Sequence, residues 1–278
     1  MTKTRPIAMT IAGSDPSGGA GLQADLKTFT ALGVYGTSIV TALTAQNTVG
    51  VTGVMAVPPD FIGAQFRAVT SDMQIAAAKT GMLGDTATVL SVAELIKASG
   101  LAPVVVDPVM VATSGDVLLQ PDAIAAVRER LIPLAALITP NLHEAARLLE
   151  CDVATDEVTV QRQAERLLHF GCGAVLLKGG HSQSTEATDY LVTAEGKILR
   201  MSLPRIETRN THGTGCTLAA AVTAGLARGL PLESAAQEAK SYLWGALRSG
   251  AAMQYGAGCG PVDHLYVLFP CEEQHRKP

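Results

Sequence analysis

The chain has 278 residues, 47% of them hydrophobic and 17% charged, with a formal net charge of −4. That length supports a large core, while the acidic balance and 4% aromatic content exclude a basic nucleic-acid or membrane-surface face and a base-stacking platform. Five dispersed cysteines, Cys151, Cys172, Cys216, Cys259 and Cys271, form no C-x-x-C pair, which argues against a disulfide framework or a zinc knuckle.

The N-terminal apolar run is too short for a signal peptide, and no run approaches a membrane span, so a cytoplasmic protein is expected. From there, strand candidates run Ile7–Ala12, Thr37–Thr44, Gly53–Val57 and Ala76–Thr80, followed by Val104–Asp107, Leu137–Thr139, Ala174–Lys178 and Asp189–Thr193. Helical patterns fall between them at Leu22–Leu32, Pro59–Thr70, Ala87–Ser99, Pro121–Leu131, Leu142–Leu149 and Val158–Phe170. Several strands are apolar throughout, as in a parallel sheet covered on both faces. The repeated strand–helix order predicts an α/β fold: a three-layer α/β/α sandwich around a mostly parallel sheet. Two longer helices, Thr217–Arg228 and Leu232–Ser249, precede a glycine-rich, strand-poor tail. No linker or composition break divides the chain, so residues 1–278 are expected to form a single domain. The basic stretch Lys197–Arg209 reads as solvated surface.

Ligands of open parallel sheets bind beyond the carboxyl ends of the strands. The segments placed there are GSDPSGGAG, AQNT, the prolines 58 and 59, KTGM, DPVM, TPNLHE and KGGH. In NTHGTGC, Gly213 and Gly215 open a helix and give its free amides access to an anion, although the P-loop pattern is absent. Cys216 begins that helix, and a helix N-terminus can lower a thiol pKa, so it is a candidate to contact or deprotonate a substrate hydroxyl. The competing reading is a small buried cysteine. His212 either belongs to the site or pairs with Cys216 on a metal, for which no third ligand lies nearby in sequence.

The remaining candidates each carry a plain alternative. Asp25, inside the helix opened by Gly18, Gly19 and Gly21, is either a substrate hydrogen-bond acceptor or an exposed helix carboxylate. The Gln46 amide offers a donor beside an acceptor, complementary to an aminopyrimidine edge, or else stabilises a turn. Asn141 and Glu144 either hold Mg²⁺ through water beside nucleotide phosphates or form a capping box. Lys178 reaches phosphate oxygens or snorkels from a strand end, and Asp107 is a second acidic group near the metal or a turn residue. A dehydrogenase reading fails because TAQNT stands where a ribose-binding acid is needed.

Together, TIAGSDPSGGAGLQADLKTF, TALTAQNT, AKTGMLG, VVVDPVM, LITPNLHEA, AVLLKGGH and NTHGTGCTLAAA closely resemble the hydroxymethylpyrimidine/phosphomethylpyrimidine kinases of thiamine biosynthesis. The resemblance runs from about Ile7 to about Leu268 and implies a ribokinase-like fold. It implies two ATP-dependent phosphoryl transfers, from 4-amino-5-hydroxymethyl-2-methylpyrimidine to its monophosphate and then to its diphosphate. It places Cys216 where related kinases carry an aspartate base, with Gly213 and Gly215 forming the anion hole. Gln46 and Asp25 would hydrogen-bond the pyrimidine, Gly13 would add a backbone contact, and Met82 would lie against the ring. Lys178, Asn141 and Thr211 would serve ATP, and Glu144 with Asp107 the Mg²⁺, with room for a monovalent cation. A homodimer is implied as well. The alternatives are a pyridoxal or pyridoxine kinase of the same fold and a non-catalytic pyrimidine sensor.

Overall fold

The structure, a computed structural model, describes residues 4–111, 115, 118–179 and 185–269. Cys271 and, in the KGGH segment, Gly180 and His181 lie outside the described residues.

Among the described residues, nine strands form one sheet in the order β3-β2-β1-β4-β5-β6-β7-β8-β9. They are β1 (Ile7–Ser14), β2 (Tyr35–Gln46), β3 (Val51–Ala56), β4 (Ala77–Thr80) and β5 (Val104–Val106). Then come β6 (Leu137–Ile138), β7 (Ala174–Lys178), β8 (Glu186–Thr193) and β9 (Ile198–Pro204). The central strands pair in parallel, while β3, β8 and β9 join antiparallel at the two edges.

Alternate residues of the buried strands enter different cores, which explains their uninterrupted apolar sequences. Val104, Val106, Ile138, Val175 and Leu177 point into one core. Val105, Leu137, Ala174 and Leu176 point into the other. The first core is covered by α2 (Pro59–Thr70), α3 (Thr86–Ser99), α4 (Ala123–Ala126), α5 (Leu142–Leu149) and α6 (Glu157–Leu168). The opposite face carries α1 (Gly21–Ala31), α7 (Thr214–Ala227) and α8 (Leu232–Gly250). This is the expected three-layer sandwich. Alanines let α7 lie close against the sheet, and a methyl group on Gly225 would sit 2.8 Å from the Ala235 side chain of α8.

Three expectations are corrected. Lys197–Arg209 contains the edge strand β9, whose short apolar positions pair with β8 and pack against α8. Pro121–Leu131 is not one regular helix: α4 passes into a wider π turn at Val127–Leu131 and a 3₁₀ turn at Ile132–Leu134. Pro58 and Pro59 follow an antiparallel strand, so they lie at the edge of the sheet opposite the other polar segments.

Candidate active site

A cavity of about 1010 Å³ runs along the carboxyl edge of the parallel strands. Gly13, Gln46, Met82 and His212 line one end, Cys216 and Lys178 the middle, and Arg205 and Trp244 the other end. Two helix N-termini open on it, and neither α1 nor α7 has a side-chain cap. Gly213 caps α7 at φ 80°, and a methyl group there would lie 1.9 Å from the Gly19 carbonyl oxygen. Only glycine lets the two loops interlock so closely. In the first turn of α7, the Gly215 and Cys216 N–H groups have no intrahelical acceptor and face the cleft.

Cys216 remains partly open to the cleft, near the Gly21 N–H at the start of α1. The helix start does not acidify it. Burial pushes the thiol up to about 11, the Asp25 and Asp107 carboxylates add to that, and the Lys79 ammonium only partly offsets it. The expectation of a lowered thiol pKa is therefore corrected.

Asp107 Oδ1 accepts from Thr139 Oγ1 at 2.9 Å and from Lys178 Nζ at 3.1 Å. Its other oxygen faces α7: a methyl group on Gly215 would lie 3.7 Å from Asp107 Oδ2 and 3.3 Å from Lys178 Nζ. Glu144 Oε2 lies 3.8 Å from the same ammonium. Asn141 and Glu144 form the capping box of α5, with Glu144 N donating to Asn141 Oδ1 at 2.9 Å and Asn141 N donating to Glu144 Oε2 at 2.7 Å. Both residues also line the cleft, so capping α5 does not remove them from it. Burial raises the Glu144 carboxyl to about 7 against the attraction of Lys178.

Two carboxylates sharing one ammonium leave an excess of negative charge that suits a cation. Among the described residues, no group of three or more His, Cys, Asp or Glu side chains is arranged to hold a metal alone. Asp107 and Glu144 could hold a cation of the Mg²⁺ kind, which keeps its waters and takes one or two carboxylates plus phosphate oxygens. Among the described residues the His212–Cys216 metal pair gains no third ligand.

Asp25 is not where the sequence reading put it. Its side chain is fully buried, accepts from Thr10 Oγ1 at 2.6 Å and pairs with Lys79, and it does not line the cleft. Helix α1 packs Asp25 against the sheet, so its carboxylate faces Thr10 of β1 and Lys79 of β4. Thr211, Gly13 and Met82 do line the cleft, and a methyl group on Gly13 would meet Met82 Sδ at 3.0 Å.

Residues 15–263 match the phosphomethylpyrimidine kinase family. The chain belongs to that family. It is 52% identical over 260 residues to the hydroxymethylpyrimidine/phosphomethylpyrimidine kinase of Rhizobium meliloti, covering 94% of this chain and 97% of the relative. The enzyme of that name from Escherichia coli is also 52% identical, over 262 residues, covering 94% and 98%. The ADP complex of Bacillus subtilis pyridoxal kinase superposes with a TM-score of 0.88 at 36% identity, covering 95% of this chain and 99% of that one. Phosphomethylpyrimidine kinase from Clostridium difficile gives 0.76 at 40% identity, covering 87% and 99%.

Four residues that line the cleft of this phosphomethylpyrimidine kinase fold, Lys79, Asp15, Lys240 and Asp189, are not among the sequence candidates. Lys79 was detectable as a lone lysine in the apolar run AAAKT at the carboxyl edge of β4. Asp15, directly after β1, receives the N–H groups of Ser17, Gly19 and Ala20 and so shapes the glycine loop. Lys240 and Asp189 form a buried 2.7 Å ion pair across 51 residues, which no local signal announces.

Proposed function

We propose that the chain, taken as a single kinase domain, phosphorylates hydroxymethylpyrimidine with ATP in thiamine biosynthesis, and then phosphorylates the resulting monophosphate. The observation that carries this is one continuous cleft joining an amide suited to an aminopyrimidine, a thiol between two uncapped helix starts, and a lysine–carboxylate cluster. The pyrimidine lies at the Gln46 and Met82 end, and the nucleotide extends past Lys178 toward Trp244.

The substrate hydroxyl oxygen attacks the γ-phosphorus, the bond to the β–γ bridging oxygen breaks, ADP leaves, and the hydroxyl proton passes to an oxygen of the transferred phosphoryl group. The Gly215 and Cys216 amides and the Lys178 ammonium receive the charge on the transferring phosphoryl oxygens. Asp107, with Glu144 behind it, would hold Mg²⁺, which supplies charge neutralisation between the phosphates when bound. With its thiol near 11, Cys216 enters the reaction protonated and acts by hydrogen-bonding the hydroxyl. A loose phosphoryl-transfer transition state needs little prior deprotonation of the attacking oxygen. Asn141 and Thr211 border the nucleotide phosphates.

A second reading is kept because the likeness to pyridoxal kinases spans nearly the whole chain. The sensor reading is disfavoured, since binding alone does not require the Lys178–Asp107 cluster. The cytoplasm, where ATP and free thiols are maintained, is the compartment this reading needs. Among the described residues no helix is long and apolar enough to cross a membrane. A homodimer is supported by the edge strand β3, which exposes Val54 and Met55 beside Leu43 of β2.

The test is ADP release with Mg²⁺, ATP and, separately, hydroxymethylpyrimidine, its monophosphate and pyridoxal. Turnover of both pyrimidines with a lower kcat/KM for pyridoxal is expected. Turnover of pyridoxal with the monophosphate untouched would overturn the substrate assignment.

A further inference from the structure

The pyrimidine end of the cleft holds a chain of polar groups that the phosphoryl-transfer scheme does not use. His212 Nε2 lies 2.8 Å from Asp15 Oδ2 and 3.4 Å from the Gln46 side-chain nitrogen. The other end of that amide, Oε1, lies 3.2 Å from Thr44 Oγ1, which is also 2.8 Å from the Ser14 carbonyl oxygen. The imidazole is locked in place. Its backbone N–H donates to the Gly260 carbonyl at 3.0 Å, and a methyl group on Gly19 would lie 2.4 Å from its Cδ2.

Counting hydrogens decides which way the amide faces. Asp15 is held as a carboxylate: burial raises its pKa, but hydrogen bonds from His212, Ser17 and Ala20 bring it down to about 2. A carboxylate only accepts, so His212 Nε2 carries a hydrogen and donates. An amide NH₂ toward that Nε2–H would set donor against donor. Thr44 has one hydroxyl hydrogen, and the Ser14 carbonyl, which can only accept, takes it at the shorter distance. Thr44 Oγ1 is then an acceptor, which suits an amide NH₂ and not an amide oxygen. Turning the Gln46 amide over removes both conflicts: its oxygen becomes the second, longer acceptor, at 3.4 Å, of the Nε2–H that His212 gives to Asp15 at 2.8 Å, and its NH₂ donates to Thr44.

We propose that His212, held by Asp15, is a specificity-determining positioning residue that fixes the orientation of the Gln46 amide and hence the donor–acceptor order shown to the pyrimidine. In that orientation Gln46 keeps one N–H and one oxygen lone pair for a ligand. These match the ring-nitrogen acceptor and the amino donor on one edge of a 4-aminopyrimidine. An amide free to turn over presents the wrong order half the time and loses discrimination against ligands without that edge. The inference rests on the function proposed above. It also ties the loop leading into α7 to substrate choice, because His212 lies one residue before Gly213.

The test compares His212→Phe, which keeps the ring but loses the donor, with His212→Gln, whose amide restores a donor. His212→Phe is expected to raise KM for hydroxymethylpyrimidine about twofold, the cost of an amide in the wrong order half the time, and to leave KM for ATP unchanged. The preference over pyridoxal falls by the same factor, and His212→Gln recovers most of it. In a Gln46→Ala background, adding His212→Phe has no further effect on KM. A fall in kcat with KM unchanged, or a KM effect that persists undiminished in the Gln46→Ala background, overturns the inference. An activity-independent readout is the ¹⁵N spectrum of the imidazole in the wild-type protein: a protonated Nε2 is required, and a bare Nε2 overturns the inference. Failure of wild-type protein to turn over either pyrimidine would instead remove the proposed function, and the ¹⁵N result would still stand.

Discussion

Lys79 Nζ lies 2.9 Å from Asp25 Oδ1 and 3.0 Å from Oδ2, with both side chains fully buried directly behind the Cys216 pocket. Burial lowers the lysine pKa, but attraction to Asp25 more than reverses that and keeps the ammonium charged. Breaking such a pair strands a charge in the core, whereas replacing both partners does not. Lys79→Met is expected to lower unfolding free energy by about 3–5 kcal/mol in urea titrations. Lys79→Met combined with Asp25→Leu should recover most of it. A double variant no better than the single would show that the pair is not the source of the loss.

Cys216 is a neutral thiol in the free protein. Below its pKa the thiolate fraction grows tenfold per pH unit, so alkylation by iodoacetamide should keep rising about tenfold per unit between about pH 7 and 9. The Cys216 peptide must be followed by mass spectrometry, because Cys259 is exposed. A plateau within that range contradicts the assignment. If the group acts as a hydrogen-bond partner, Cys216→Ser keeps kcat within about tenfold, while Cys216→Ala loses about a hundredfold. Equal losses would favour a base instead.

Asp15 gives a signed pH dependence. Its folded pKa of about 2 lies below the model-peptide value of 3.8, so its contribution is complete above 3.8 and is lost as the pH falls toward 2. The shift corresponds to about 2 kcal/mol. Unfolding free energy measured between about pH 5 and 3 should therefore fall more steeply for wild type than for Asp15→Asn. Parallel slopes would rule the contribution out.

Trp244, the single tryptophan of the chain, lines the far end of the cleft beside Arg205 and Lys240. ADP is expected to change its fluorescence, and hydroxymethylpyrimidine alone is not. The reverse pattern would exchange the two ends of the cleft.

The edge strand β3 supplies the test of the homodimer. Met55 is 62% exposed and Val54 54% exposed on a strand with one open side. Such edges pair unless charged. Met55→Lys should shift the mass seen by light scattering from dimer to monomer. A monomeric wild type would remove the expectation.

By itself the sequence determined the order of elements, the covered parallel sheet and the edge where polar groups gather. Those follow from local periodicity: Val104–Val106 is apolar at every position because each face meets a helix layer. It also carried the family motifs, and with them Gln46, Lys178 and Cys216. Edge strand β9 escaped because a half-exposed strand bracketed by Lys197 and Arg205, with Arg200 inside it, reads like solvated loop. Tertiary structure alone decided what each polar group faces. Asp25 sits one helical turn into α1 and looks available in sequence, yet packing turns it onto Lys79, 54 residues away. The same holds for the Cys216 proton, which a helix start favours releasing and a buried carboxylate-lined pocket retains. Charge and desolvation act through space at a few ångströms, and only the fold sets those distances.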